Sequence, residues 1–183
     1  HNPEPLKENL TELCDIVKKN KSNFGIAVDP DVDRLVFVDE TGELFGEEYT
    51  LVACSDYVLS KSPGSIVSNL SSSRALLDLA KQYRVNHFSS AVGEFHVVEK
   101  MKAVKAVIGG EGNGGVIYPK LHYGRDALVG IALFLSLLAE KQLSVSALKN
   151  KYTNYVMRKI KINLNNDIKV DLILKKIAKK FEN

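Results

Sequence analysis

Between about residues 47 and 150, short apolar segments alternate with segments of helical periodicity, and this alternation limits the possible folds more than any other feature. The apolar segments are predicted strands near 65–69, 86–90 and 105–109. The predicted helices lie near 48–60, 72–83, 94–102 and 126–140. Strands joined through helices usually lie parallel in one sheet. The sequence therefore predicts an α/β fold, with a mainly parallel or mixed sheet covered by helices.

Both ends of the chain show incomplete patterns of the same kind. Before residue 47, a helical pattern precedes two apolar strands, Phe24–Val28 and Leu35–Val38, with a turn at Thr41-Gly42. After residue 150, the tail has the spacing of a strand and then of one helical face. The strand positions are Val156, Ile160, Ile162 and Leu164, and the helix positions are Ile168, Leu172, Ile173, Ile177 and Phe181. We expect three unequal parts, 1–46, 47–150 and 151–183, cut from a longer protein.

The charge of the chain is unevenly distributed. Residues 151–183 contain nine Lys/Arg and three Asp/Glu, whereas residues 1–150 contain sixteen Lys/Arg and nineteen Asp/Glu. A basic tail can indicate nucleic-acid binding. Here, however, most of the lysines fall between the apolar positions of the tail. We therefore interpret them as a solvated face and expect no nucleic-acid partner.

Cysteine use and hydropathy indicate a cytoplasmic protein. Cys14 and Cys54 lie far apart without a second pair, so they predict neither a zinc site nor a disulfide framework. We interpret them as small buried hydrophobic residues in a reducing compartment. The longest apolar stretch, around Ala127–Ala139, falls short of the roughly 20 residues that a membrane span needs. The sequence shows no positively charged, apolar leader, and we expect no membrane association.

Three aspartates alternate with other residues between the two N-terminal strands. Asp29, Asp31 and Asp33 would place their side chains on the same side of an extended loop. Such close carboxylates repel one another unless a cation neutralises them, and oxygen ligands suit a hard ion such as Mg²⁺. Arg34 adds a planar donor group suited to phosphate. The loop therefore predicts a metal site next to a phosphate.

Two other interpretations of this loop remain open. A calcium loop of the EF-hand type would fit the first, third and fifth positions, with Glu40 at the twelfth. Arg34, however, occupies the sixth position, where such a loop needs glycine, and the flanking segments are strand-like. The second alternative is a solvated acidic turn.

A second motif, Gly110-Glu111-Gly112-Asn113-Gly114-Gly115, follows a predicted strand. Glycine density of this kind lets the backbone approach a ligand closely. The motif is not followed directly by a helix, which disfavours a dinucleotide fingerprint. Glu111 and Asn113 supply an acceptor and an amide suited to sugar hydroxyls. A flexible hairpin without a ligand is the alternative.

Together and in this order, the two motifs resemble those of the α-D-phosphohexomutase superfamily. Asp29–Arg34 is similar to its D-x-D-x-D-R metal loop, and Gly110–Gly115 to the sugar-recognising loop of its third domain. Ala91-Val92-Gly93-Glu94 resembles a third-domain loop that closes on the substrate, and Tyr123–Ala127 the turn into that domain's last helix. The resemblance covers essentially the whole chain. It implies a fold of the phosphoglucomutase third-domain type with partial flanking domains.

The resemblance also implies domain assignments and residue roles. Residues 1–46 would be the end of the second domain, 47–150 the third domain, and 151–183 a linker and the start of the fourth. The expected roles are as follows: Asp29, Asp31 and Asp33 bind Mg²⁺, Arg34 stabilises the phosphate, and Glu111, Asn113, Gly115, Gly93 and Glu94 bind the substrate. The substrate would be a phosphosugar, of glucose, mannose or glucosamine, whose phosphate moves between the 6- and 1-positions through a phosphoserine and a bisphosphorylated sugar.

Two motifs of the superfamily do not occur in this sequence: the phosphoserine loop of the first domain and the phosphate-binding Arg-x-Ser-Gly-Thr-Glu loop of the fourth. We therefore expect the chain alone to be inactive and to need domains 1 and 4 as partners. Ser71, Ser72 and Ser73 precede a predicted helix and are interpreted as N-capping residues rather than nucleophiles. A non-catalytic module that binds Mg²⁺ and sugar phosphate is the alternative function.

Overall fold

The computed structural model describes residues 7–157 and 169–181. The strands are β1 (Phe24–Val28), β2 (Leu35–Asp39), β3 (Ile66–Asn69), β4 (His87–Ser90), β5 (Ile108–Glu111) and β6 (Gly115–Ile117). The helices are α1 (Thr11–Asn20), α2 (Glu47–Lys61), α3 (Ala75–Tyr83), α4 (Glu94–Val104), α5 (Ala127–Lys141), α6 (Val145–Lys149) and α7 (Val170–Lys180). Within the described residues, no helix has the length and apolar character needed to cross a membrane.

β1 and β2 form an antiparallel hairpin, and the aspartate loop, residues 29–34, connects the two strands. A second turn follows at Thr41-Gly42, as predicted, and it returns the chain so that Leu44 pairs with Val38. Every residue of β2 is buried. The aspartate loop is therefore anchored directly to a strand of the core.

The other four strands form one mixed sheet in the order β4-β3-β5-β6. β3 lies parallel to β4 and to β5, whereas β6 returns antiparallel to β5. Parallel neighbours need a crossover connection, which α3 and α4 provide. The predicted fold class, a mixed sheet covered by helices, is confirmed. The carboxyl ends of β3, β4 and β5 lie along one edge of the sheet.

Helices cover both faces of this sheet because neighbouring strand residues point in opposite directions. Ile66 faces the larger core, to which α2, α3 and α5 contribute, and Val67 packs with Met101 of α4 on the opposite face. The ring of Phe37 in β2 stacks on that of Phe134 in α5, with centroids 3.7 Å apart. This stacking fixes the N-terminal hairpin against the helical layer.

The glycine-rich motif differs from the prediction in its local structure. Lys105 ends α4 with a left-handed backbone, so β5 begins at Ile108 rather than near residue 105. β5 then continues through Glu111 and turns directly into β6. The motif is therefore part of a paired strand hairpin in the sheet.

The tail helix is confirmed in its described part. α7 spans Val170–Lys180, and all of its residues, including its lysines, are exposed. Val156 lies outside any strand and is 95% exposed. The remaining predicted strand positions, Ile160, Ile162 and Leu164, and the helix position Ile168 lie outside the described residues.

Candidate active site

The residues predicted to form a site lie at the carboxyl end of the parallel strands. Asn69, Ser90 and Glu111 end β3, β4 and β5, and all three are buried although they are polar. The aspartate loop reaches the same edge because the N–H of Leu35 donates to the carbonyl oxygen of Gly114, at 3.1 Å. Ligands bind at this edge in open α/β sheets.

The aspartate loop is a turn, so the prediction of an extended loop was wrong. Val32 has a φ of 58°, and its N–H donates to the carbonyl oxygen of Asp29. The Oδ1 atom of Asp29 accepts from the N–H groups of Asp33 (3.0 Å) and Arg34 (2.9 Å). This turn brings one carboxylate oxygen each of Asp29, Asp31 and Asp33 within 4.8 Å of the others. The backbone turn, rather than residue alternation, makes the carboxylates converge.

The electrostatics of the loop fit a bound cation. Burial and the adjacent Asp29 carboxylate raise the pKa of Asp33 to about 6. Burial alone would raise the pKa of Asp29, but the N–H groups of Arg34 and Asp33 lower it. The Oδ1 atom of Asp33 is buried and accepts no hydrogen bond from the described residues. A hard divalent cation would satisfy this oxygen and remove the repulsion between the carboxylates.

Arg34 lies beside the same carboxylates. Its Nε atom is 3.6 Å from Oδ2 of Asp29 and 3.8 Å from Oδ1 of Asp33. The Arg34 side chain is 29% exposed. The structure therefore places a partly accessible guanidinium group next to the candidate cation site, where it could contact a phosphate.

The glycine-rich motif supplies a second cluster of polar groups. Glu111 is buried, and its Oε1 atom accepts from the side-chain amide of Asn69 (2.7 Å) and the N–H of Gly93 (3.2 Å). The side-chain oxygen of Asn113 accepts from the N–H of Gly115, at 3.2 Å. Four of the predicted substrate-binding residues thus lie in or against this hairpin.

Arg125 connects these two clusters, although its sequence context predicted no role for it. Its guanidinium group forms ion pairs with Asp33, with Glu94 through Nε (3.3 Å) and with Glu111 through NH1 (2.9 Å). Its side chain is 15% exposed. Arg125 therefore brings the fifth predicted substrate-binding residue, Glu94, to the site. The only sequence signal was its place in the turn that resembles the superfamily.

The serine run has a second role besides the predicted contact with the start of α3. Arg74 occupies the N-cap position of α3 without a capping hydrogen bond from its own side chain, and the Ser73 hydroxyl accepts from the N–H of Ala75, the first residue of the helix, at 3.4 Å. The Ser72 hydroxyl donates to Asn69 (2.8 Å) and accepts from the N–H of Gly112 (3.0 Å). Ser72 therefore joins the end of β3 to the glycine-rich motif. A polar residue at the end of a buried strand, such as Asn69, was the signal that could have revealed this network.

Comparison with known protein families agrees with this architecture. The family model for phosphoglucomutase/phosphomannomutase alpha/beta/alpha domain III matches residues 46–155, and the model for domain II matches residues 1–42. A phosphoglucomutase/phosphomannomutase of Thermococcus kodakarensis is 34% identical over 99% of this chain. A phosphoglucosamine/phosphogalactosamine mutase of Sulfurisphaera tokodaii is 31% identical over 98% of it. The chain spans about 40% of the length of these two curated relatives.

The solved structures give the same result. A phosphoglucomutase/phosphomannomutase family protein of Burkholderia thailandensis has a TM-score of 0.77 and 30% sequence identity. This likeness covers 85% of the present chain and 34% of that protein. The matched domains, the mixed sheet and the two motifs at its edge lead to one conclusion. The chain belongs to the phosphoglucomutase/phosphomannomutase family of the α-D-phosphohexomutase superfamily.

Proposed function

We propose that this chain is the cation- and sugar-binding part of an enzyme that moves phosphate between the 6- and 1-hydroxyls of a hexose or hexosamine. The observation that carries the proposal is the convergence of Asp29, Asp31 and Asp33 beside Arg34. Phosphoryl transfer depends on positioning and on neutralising charge, and this cluster is suited to both. The names of the relatives, which include phosphoglucomutase, phosphomannomutase and phosphoglucosamine mutase, support this substrate class.

The proposed cation is Mg²⁺, held by Asp29, Asp31 and Asp33. Three carboxylates form an all-oxygen ligand set, which suits a hard ion. When bound, the ion supplies positive charge beside the transferring phosphate. Arg34 would donate hydrogen bonds to a phosphate oxygen through its planar guanidinium group.

The proposed sugar contacts come from the glycine-rich motif and from the start of α4. Glu111 would accept hydrogen bonds from sugar hydroxyls, and Asn113 would form hydrogen bonds to them through its side-chain amide. Gly115 would let the backbone approach the sugar closely. Gly93 and Glu94 would border the bound sugar from the neighbouring loop. Their contacts with Glu111 and Arg125 support this placement.

We further propose that the chain works as part of a longer protein. Residues 1–46 would complete domain 2, residues 47–150 would form domain 3, and residues 151–183 would lead into domain 4. Domain 1, with its phosphoserine, and the rest of domain 4 would be the partners. Charged sugar-phosphate substrates are in keeping with a cytoplasmic enzyme, as are Cys14 and Cys54, which are not joined by a disulfide.

Calorimetry on the 183-residue chain tests the cation site. We expect Mg²⁺ to bind, and Asp31→Asn to weaken binding by about tenfold or more, because one charged ligand of three is lost. Asp31 is exposed, so this substitution should leave the fold intact. Asp15→Asn, at an exposed position of α1, is the control with the same change of charge. Equal Mg²⁺ affinity of the two variants, or strong Ca²⁺ selectivity with a large helical change, would contradict the assignment.

Turnover tests the proposed reaction. The chain alone should not convert glucose 1-phosphate, mannose 1-phosphate or glucosamine 1-phosphate, whereas the chain joined to domains 1 and 4 should convert at least one. Asn113→Ala in the longer protein should lower kcat/KM about 10- to 100-fold, because a hydrogen bond to the sugar is lost. Binding of sugar phosphate and Mg²⁺ without turnover by the longer protein would instead support a non-catalytic module.

A further inference from the structure

The Arg125 side chain contacts both the aspartate loop and the hairpin formed by β5 and β6. One guanidinium group pairs with Asp33 of the loop, with Glu94 at the start of α4 and with Glu111 at the end of β5. Guanidinium has five donors in a fixed plane, so it can hold several carboxylates at once, which a lysine ammonium cannot do with the same geometry.

The backbone fixes Arg125 in this position. Arg125 pairs with Ile117 next to the sheet, and its N–H donates to Oε1 of Glu94, at 2.9 Å. The aliphatic part of its side chain passes over Gly115, where an added Cβ would lie 2.5 Å from the Arg125 Cδ atom. Gly115 therefore keeps open the path that the arginine side chain takes to the site.

Arg125 leaves one oxygen of Asp33 for a cation. The guanidinium NH2 group holds Oδ2 of Asp33, whereas Oδ1 is buried and accepts no hydrogen bond within the described part of the chain. The arginine thus orients the carboxylate and also competes with a cation for its charge. The strength of that competition depends on how firmly Glu94 and Glu111 hold the same guanidinium group.

We infer that Arg125 is a positioning residue that couples cation binding at the aspartate loop to the carboxylates of Glu94, at the start of α4, and Glu111, in the β5–β6 hairpin. This inference rests on the proposed Mg²⁺ site. Neutralising Glu94 would leave the guanidinium group more strongly attracted to Asp33, and Mg²⁺ would then bind more weakly. By thermodynamic linkage, Mg²⁺ would reciprocally strengthen the hold of Glu94 and Glu111 on Arg125.

A double-mutant cycle on the 183-residue chain tests the coupling, with Mg²⁺ affinity measured by calorimetry. We expect Glu94→Gln to weaken Mg²⁺ binding about fivefold or more in the chain that contains Arg125. Glutamine keeps an acceptor for the Arg125 N–H and removes only the charge. In the Arg125→Met background, the same substitution should change the affinity by less than about twofold, because only its through-space effect remains.

Two further variants make the cycle decisive. Glu99→Gln removes the same charge from an exposed position of α4 and should have less than about a twofold effect on affinity. Arg125→Lys keeps the positive charge but removes the planar group, so it should reduce the coupling. It also replaces Arg125→Met in the cycle if the Met variant does not fold. An equal effect of Glu94→Gln in both backgrounds would overturn the coupling alone. Absence of Mg²⁺ binding to the unsubstituted chain would overturn both the coupling and the proposed site.

Discussion

Glu40, just after β2, contacts the N-terminal end of α6. Its carboxylate accepts from the hydroxyl of Ser146 and from the N–H of the same residue, at 3.2 Å. Burial alone would raise the pKa of Glu40, but hydrogen bonds from Ser144 and Ser146 lower it to about 2. The ionised form of Glu40 is therefore favoured in the folded protein.

This lowered pKa predicts how stability changes in acid. The stabilising effect of Glu40 should be complete above its ordinary pKa of 4.5 and should disappear as the pH falls toward 2. Glu40→Gln should cost about 1–2 kcal/mol of unfolding free energy at pH 7. The difference should become smaller between pH 4.5 and pH 2. Urea unfolding at several pH values checks this, and Glu43→Gln, at an exposed position, is the control. A difference that stays constant with pH would refute the assignment.

Gly114 joins the two motifs and has no room for a side chain. Its φ is 91°, and an added Cβ would lie 2.5 Å from the carbonyl oxygen of Leu35. We expect Gly114→Ala to destabilise the chain by about 2 kcal/mol or more, because the backbone of β2 would have to move. Gly124→Ala, whose Cβ would lie 3.1 Å from the His122 side chain and 3.7 Å from Oε1 of Glu94, should cost much less. Thermal unfolding of both variants measures the difference, and equal costs would show that the contact is unimportant.

The sequence predicted the site at the scale of single residues only where its motif was local. Asp29, Asp31 and Asp33 were predicted as a cluster because they are neighbours in the chain. Asn69 was missed because its partner Glu111 lies 42 residues away in the chain. Arg125 was missed because its partners lie between 14 and 92 residues away. A contact across such distances depends on sheet register, which composition and spacing do not specify.

At the scale of elements, aromatic packing between β2 and α5 is one of the contacts that fix the hairpin. Phe134 stacks on Phe37 and meets Phe45 edge to face, with centroids 5.0 Å apart. All three rings are fully buried. The aspartate loop depends on this packing, since it continues directly into β2.

Phe134→Ala should therefore cost about 3–5 kcal/mol of unfolding free energy, because it removes a buried ring and leaves a cavity. Leu128→Ala, on the same helix at a position 67% exposed, should change stability by less than about 0.5 kcal/mol. Denaturant unfolding of the two variants checks this prediction. Similar costs for both would mean that α5 does not support the hairpin as described.

The existence and order of the elements other than β6 followed from periodicity, whereas β6 and some boundaries did not. β5 begins later than predicted because Lys105 adopts a left-handed backbone conformation at the end of α4. The glycine-rich motif proved to be paired with β6, since its backbone groups complete the sheet. Neither feature has a signal in hydrophobic spacing, because both depend on backbone conformation and on pairing with distant residues.

At the scale of the whole molecule, the segment after α6 is attached to the body of the domain through tyrosines. Tyr152 donates to Asp56 of α2, at 2.9 Å, and Tyr83 donates to the other oxygen of the same carboxylate. The Tyr49 hydroxyl donates to the carbonyl oxygen of Thr153 and accepts from the N–H of Tyr155. Burial and the Asp56 charge raise the pKa of Tyr152, so its hydroxyl remains a donor.

Tyr152→Phe should cost about 1–2 kcal/mol of unfolding free energy, since one oxygen of Asp56 loses its donor. Tyr123→Phe, in an exposed loop, should change stability by less than about 0.5 kcal/mol. Limited proteolysis of the folded variants adds a local measurement, because cleavage near residue 152 should become faster only in Tyr152→Phe. Unchanged stability and unchanged cleavage would show that this hydroxyl does not hold the segment.

The main-chain bonds between the aspartate loop and the rest of the domain have one more consequence. The Leu35 N–H donates to the carbonyl oxygen of Gly114 and the Ala127 N–H donates to that of Val32, so main-chain bonds join the aspartate loop to the glycine-rich motif and to the start of α5. In the proposed mutase, these bonds would limit changes in the distance between the bound cation and the sugar ring. The substrate itself would then have to reverse its orientation in order to present first one hydroxyl and then the other.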